Sequence, residues 1–263
     1  MSIASTIVER ASVELRSAPV ALRPYVGCFW IVDADRGAKL HFIPDGYSSI
    51  WCETAARQQL EWFLRGPLTG PADRRFRSRT TLVGVRLRPG VPSLLMGSAV
   101  DRLVGRRLRL AHVAWARALV TEPLGDVTPL ARLEFLERFL AQRLVGAQVH
   151  PVVAAAVAAI QEANGQLPVA PLSAACGVSA RHLARLMRAW TGLAPKSFAR
   201  IVRFQSTLAK IADSPQEPLA SVAASNGYFD QAHLSGDVAR LAAVTPTGIV
   251  RHSVSEFSKT RCD

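Results

Sequence analysis

The sequence is short of acid. Its 263 residues hold 20 Asp and Glu against 32 Lys and Arg, a formal charge of +12. So few carboxylates argue against a cationic partner and favour a polyanion, because Lys and Arg that neutralise phosphates release condensed counterions. A GC-rich genome also enriches arginine, so charge alone assigns nothing. Cysteine is scarce as well. Cys28, Cys52, Cys176 and Cys262 form no CxxC pair and no Cys/His cluster at zinc spacing, which excludes the usual structural zinc sites. The first three read as reduced, small apolar residues, and Cys262 falls in a C-terminal tail, 253–263. Long apolar runs are missing too, since none approaches the roughly 18 residues that span a bilayer. Glu9, Arg10, Glu14 and Arg16 interrupt the first 20 residues, so no secretory core is read there. A cytoplasmic protein without membrane contact is expected.

Catalytic signatures are equally absent. The six histidines, His41, His112, His150, His182, His233 and His252, make no HExxH or comparable ligand set. No GxSxG, P-loop or strand-borne GxGxxG occurs. The expectation is a protein that is not an enzyme, with no catalytic residue, metal or cofactor. An enzyme fused in the N-terminal half is the weakest of the readings, since no nucleophile–base pairing is visible.

What is present is enough apolar residue, 49%, for two buried cores. Short aromatic and β-branched runs at 25–32, 40–43, 48–52, 60–64 and 81–87 read as strands. Pro44-Asp45-Gly46, Gly66-Pro67, Gly70-Pro71 and Pro89-Gly90 read as turns between them. This spacing predicts a small antiparallel sheet or partial barrel. Trp30, Trp51 and Trp62 lie in these runs and line either a small-molecule pocket or an aromatic sheet core. Arg74, Arg75, Arg77 and Arg79 form a basic loop, open to DNA, to an anionic effector or to solvent; Arg102, Arg106, Arg107 and Arg109 are read the same way.

After residue 95 the pattern turns helical. Thr128 before Pro129 is an N-cap with proline at the first helical position. Leu133, Leu136, Leu140 and Leu144 follow at helical spacing, and Phe135 and Phe139 add a second stripe. Such a helix fits either a homodimer contact or packing on its own sheet. The chain divides best at 146–150, ahead of Pro151, giving an N-terminal sensor or dimerisation domain (1–146) and a helical domain (150–252). In the latter, Val153, Ala156, Val157 and Ile160 make a stripe ended by Asn164-Gly165. Phe198, Ile201, Leu208 and Ile211 line a longer helix stopped at Ser214-Pro215.

One unit occurs twice in this half. Ala174-Ala175-Cys176-Gly177-Val178-Ser179 precedes Arg181-His182-Leu183, and Ala224-Ser225-Asn226-Gly227-Tyr228-Phe229-Asp230 precedes Ala232-His233-Leu234. The His-Leu pairs stand 51 positions apart (233 minus 182). At that offset Met187 meets Val238, Leu193 meets Val244 and Pro195 meets Pro246. Each copy has the order of a helix-turn-helix: a short apolar helix, a glycine for a left-handed turn, a Ser or Asp N-cap, then a helix with one apolar face. Leu183, Leu186, Met187 and Trp190 supply that face in the first copy. Arg181, Ala184, Arg185 and Arg188 lie opposite. Arg181 and Arg185 share one side of the helix, and arginine reaches guanine O6 and N7 bidentately in the major groove. Lys196, Arg200 and Arg203 follow, with no acid from Ser179 to Arg203.

At these residues, over roughly 150–250, the sequence resembles the AraC/XylS family of transcription regulators. The likeness covers both units, the connecting helix, the stretch from Asn226 to Leu234 and the ending Val244-Thr245-Pro246. Phe42-Ile43-Pro44-Asp45-Gly46 before Ile50-Trp51, with Gly84-Val85-Arg86-Leu87-Arg88-Pro89-Gly90, resembles a sensor-like domain often fused to such halves. The resemblance implies an α+β protein, an N-terminal sheet with helices followed by an all-α domain of two helix-turn-helix units on a linker helix. It implies double-stranded promoter DNA as partner, with a small-molecule effector, RNA polymerase and a second copy of the chain as further candidates. It places Arg181, Ala184 and Arg185 at reading positions of the first unit and Gln231 and Ala232 at those of the second. The usual arginine and the basic and aromatic positions after it fall on Gly236, Asp237, Val238 and Ala239, a departure that weakens the second unit. The expected DNA-binding set is Ser179, Arg181, His182, Arg185, Arg188, Arg203, Gln231, His233 and Arg240. The alternative is a ligand-binding or scaffold protein whose DNA-binding half has partly decayed.

Overall fold

The computed structural model describes residues 6–55 and 60–243; the readings placed on Val244, Thr245, Pro246, His252, Cys262 and the tail lie outside them. The N-terminal part is an antiparallel sheet of β1 (Thr6–Arg16), β2 (Val26–Phe42), β3 (Ser48–Ala55), β4 (Glu61–Arg65), β5 (Ala72–Arg75), β6 (Thr80–Leu87) and β7 (Arg107–Arg109). The order is β1-β2-β6-β3-β4-β7, with β5 paired to the far end of β2. The antiparallel-sheet expectation therefore holds, with two corrections. The runs at 25–32 and 40–43 are two ends of one strand, β2, and 6–16 is a further strand that pairs with it. β2 stays continuous because Ala34 and Lys39 pair with Ala11 and Glu9 while the residues between them loop out. Gly37 takes φ 83° in that bulge and Arg10, facing it, takes φ 57°, bending the strand as bulges do. An alternation count reads such a bend as a break.

The two faces of the sheet do different work. Phe29, Ile31, Ile50, Cys52, Trp62, Leu64, Val83, Val85 and Leu87 point to a core shared with α1 (Val91–Met96), α2 (Arg117–Thr121) and α3 (Pro129–Leu144). Thr128 caps α3, its side chain accepting from the Ala131 N–H at 3.2 Å. Leu133, Leu136, Leu140 and Leu144 are fully buried, each contributing about 1.5–3 kcal/mol. Phe139 is in the same core and Phe135 packs against it. α3 packs on its own sheet. Cys28 and Cys52 are buried, and burial pushes the Cys52 thiol up to about 12. The opposite face carries Trp30, Val32, Leu40, Phe42, Trp51, Phe63 and Leu82 and borders a cavity of about 1010 Å³.

From Pro151 the chain is helical: α4 (Pro151–Glu162), α5 (Val169–Ala175), α6 (Ala180–Thr191), α7 (Pro195–Asp213), α8 (Leu219–Ser225) and α9 (Gln231–Ala242). Asn164 and Gly165, at φ 50° and 72°, end α4 as the sequence implies. α4, α5, α6 and the start of α7 enclose one core. The rest of α7 with α8 and α9 encloses another, which also takes in Ile7 and Ile43 from the sheet. The helix α7, with 19 residues, is about 28 Å long at 1.5 Å per residue. No helix among the described residues is long and apolar enough to cross a membrane.

Candidate nucleic-acid interface

Each unit is built as its sequence dictates. Gly177 and Gly227 turn the chain at φ 66° and 72°, which L side chains adopt only with strain. Ser179 then caps α6, its hydroxyl accepting from the His182 N–H at 3.2 Å, and Asp230 caps α9, accepting from the His233 N–H at 2.7 Å. Leu183, Leu186 and Met187 bury the inner face of α6; Leu234, Val238 and Leu241 do so for α9.

The outer faces differ. Ser179, Arg181, His182, Arg185 and Arg188 are all exposed on or beside α6. Arg185 Nη2 lies 3.3 Å from His182 Nδ1. Arg181, Arg185, Arg188 and the exposed Lys196 make no ion pair among the described residues. No Asp or Glu occurs from 163 to 212, so nothing nearby in sequence neutralises the row. On α9, Gln231, His233 and Arg240 are exposed, and Arg240 is the sole Lys or Arg from 214 to 243. His233 stands edge-on to Tyr228, centroids 5.1 Å apart, with its Nδ1 3.4 Å from the Phe229 N–H. Phe229 itself is 92% exposed.

Arg203 does not join this surface. It is half-buried, stacks over Tyr228 at 4.6 Å and donates to the Gly227 carbonyl at 3.4 Å. Its neighbour is Asp237, which departs from the family pattern for a visible reason. Asp237 is buried and accepts from Arg200 Nη2 at 2.7 Å and Nε at 3.1 Å, with Arg203 Nη2 at 3.7 Å. It ties α9 to α7. Burial and then the Asp237 charge hold the Tyr228 hydroxyl above its usual range. Gly236 beside it is open: a Cβ there meets nothing within 4 Å.

The sheet meets the helical half along the segment that opens with Phe42-Ile43-Pro44-Asp45-Gly46. Gln205 of α7 donates to the Pro44 carbonyl at 2.6 Å. Gly46, at φ 79°, would drive a Cβ to 2.7 Å from the Phe198 ring, so only glycine seats α7 here. His41 bridges Asp73 (Nδ1 to Oδ1, 2.6 Å) and the Ala242 carbonyl at the end of α9 (Nε2, 2.7 Å). The two stretches likened to a sensor domain also meet. Arg86 Nη2 lies 2.9 Å from Asp45 Oδ2, and its guanidinium sits 3.8 Å over the Tyr47 ring.

The cavity takes Trp30 and Trp51 into its wall, while Trp62 points into the opposite core. Arg74 is a strand residue paired with Glu53 at 2.6 Å. Burial would raise the Glu53 pKa, but hydrogen bonds from Arg74 and Trp51 hold it below the carboxylate range. Arg65 and Arg107 also line the cavity. Arg107 stood in the sequence as one of a loose basic group, and Arg65 was missed. The signal for Arg65 was a lone charge closing the run Trp62-Phe63-Leu64, on the same face as Phe63 by alternation. Among the described residues no cluster of His, Cys, Asp and Glu could hold a metal.

Two capped units joined by one helix define a double helix-turn-helix protein. Residues 172–252 match the family described as a helix-turn-helix domain. Residues 16–109 match a domain of unknown function, DUF6597. No curated protein matches the chain. Among solved structures, the C-terminal domain of AraT, a response regulator from Geobacillus stearothermophilus, is 20% identical over 40% of this chain and 88% of its own, with a TM-score of 0.37. ToxT from Vibrio cholerae O395 is 10% identical over 95% of this chain and 99% of its own, TM-score 0.43. The AraC-like transcriptional activator CuxR is 15% identical over 76% and 88%, TM-score 0.23.

Proposed function

We propose that this protein is a sequence-specific regulator of transcription that reads double-stranded promoter DNA chiefly with α6 and answers to a small-molecule effector in its N-terminal sheet. The observation that carries the reading is the row Arg181, Arg185, Arg188, exposed on a capped helix without acidic partners among the described residues. Residues at the start of a recognition helix meet base edges, and later ones meet phosphates. Arg181 and Arg185 are therefore assigned to bases, and Ser179, His182, Arg188 and Lys196 to positioning. Gln231 and His233 contribute a polar edge from α9, with Arg240 as its phosphate contact.

The effector side is supported by the 42–47 segment. It borders the cavity through Phe42, Ile43, Asp45 and Tyr47, while Ile43, Pro44 and Gly46 seat the helical half. A ligand that shifts this segment changes the seat of α7, which carries both units. The division of labour falls at 146–150. Arg185→Ala is expected to weaken operator binding by about 1–3 kcal/mol, read by gel-shift titration at fixed salt. An unchanged affinity there would remove Arg185 from the reading set.

A further inference from the structure

The polar lining of the cavity is unbalanced. Its acids are each taken: Asp45 by Arg86, Glu53 by Arg74 and by Trp51 Nε1 at 3.0 Å, and Asp73 by His41. Arg65 and Arg107 make no ion pair or side-chain hydrogen bond among the described residues. These two are register partners across β4 and β7, and Ser49 of β3 is the register partner of Arg65 on its other side. Arg107, Arg65 and Ser49 thus form one transverse row on the cavity face. Like charges directly opposite on paired strands repel, and a guanidinium out of water without a counter-ion is costly. Burial lowers the Arg65 pKa to about 10, although the charge of Asp45, itself bound by Arg86, acts the other way. The aromatic side chains around the row cannot supply the missing charge, but they can hold a flat apolar group. The Arg65 guanidinium lies 3.9 Å over Phe42 and 5.8 Å from the Trp51 ring, and Arg107 lies 4.4 Å over Phe63. Trp51 and Phe63 are stacked with centroids 5.4 Å apart.

We infer that Arg65 and Arg107, with Ser49 beside them, anchor the acid group of an organic anion whose flat apolar body lies against Phe42, Trp51 and Trp30. Guanidinium groups bind carboxylates in a two-pronged, charge-assisted fashion, and about 1010 Å³ is ample for a molecule of two or three rings. The inference rests on the reading of the sheet as an effector domain and names the class of effector. It assigns Arg65 a role as the charge-selecting residue of that site.

The test is calorimetric titration of the full chain with 4-biphenylcarboxylate and, separately, its neutral carboxamide. The acid is expected to bind at least tenfold more tightly than the amide. Arg65→Met, which keeps the stem over Phe42, is expected to erase that preference, and Arg65→Lys to retain part of it. Circular dichroism and a thermal midpoint matching wild type establish that the Met variant is folded; should it not fold, Arg107→Met carries the same expectation, a loss of severalfold in the preference. Equal binding of acid and amide by wild type would overturn the anion assignment while leaving the cavity as a ligand site. Binding of neither would overturn the effector reading itself. An acid preference that survives in both Met variants would move the anchor away from this row.

Discussion

The two helix-turn-helix units share a frame, and four of the positions at which they differ separate their roles. At an offset of 51, Leu183 corresponds to Leu234, Met187 to Val238 and Trp190 to Leu241, so the packing of the recognition helix is kept. The same offset sets Arg181 against Ala232, Arg185 against Gly236 and Arg188 against Ala239. All three cationic side chains of the first face are missing from the second. The fourth difference is inside. Leu186, buried in the first unit, becomes Asp237, equally buried and joined to Arg200. The second unit thus carries an ionic contact to the linker helix where the first has an apolar one, and lacks the outer charges that we assign to DNA. It fixes the position of α7, and through α7 the presentation of α6.

This contrast can be broken in several ways. The largest effect is expected from Asp237→Ala, which leaves Arg200 and Arg203 half-buried without their acid. A loss of about 2–4 kcal/mol is expected in urea-induced unfolding; a loss below 1 kcal/mol would reduce the brace to an incidental contact. Next is Gly236→Arg. Space at this position is open, and arginine is a better helix former than glycine by about 1 kcal/mol. DNA affinity should rise severalfold and the salt slope steepen by about 1. An unchanged slope would mean that α9 does not reach the duplex. The smallest effect is expected at the C-terminal end of the recognition helices, where Gly192 at φ 80° corresponds to Ala243 at φ 52°. Ala243→Gly relieves a left-handed alanine and should stabilise the protein by about 0.4–1 kcal/mol, seen as a raised thermal midpoint.

Much of the helical half was legible because its cues are local. Glycines 177 and 227, the caps Ser179 and Asp230, and the stripes of α4 and α7 are fixed by neighbours within a few residues. The sheet was less legible. The bend in β2 depends on pairing between residues far apart in sequence, and β1 carries alternating charges that conceal a strand at the sheet edge. The site shows the same division. Arg181 and Arg185 stand out because helical spacing alone places them on one face. The burial of Arg203 and the purpose of Asp237 depend on a contact between α7 and α9, across 34 positions of chain (237 minus 203), which spacing does not encode. The offset of 51 does align Asp237 with Leu186, a core position of the frame, but spacing alone does not show the arginine that pairs with it.

Sequence reading is assigned to the first unit. Selection of bound fragments from random duplexes, run in parallel with wild type, the Arg181→Ala/Arg185→Ala double variant and Gln231→Ala, tests it most directly. The account predicts a wild-type motif whose guanine-containing block disappears in the double variant and persists in Gln231→Ala. A motif that survives loss of both arginines, or collapses on loss of Gln231 alone, would contradict it.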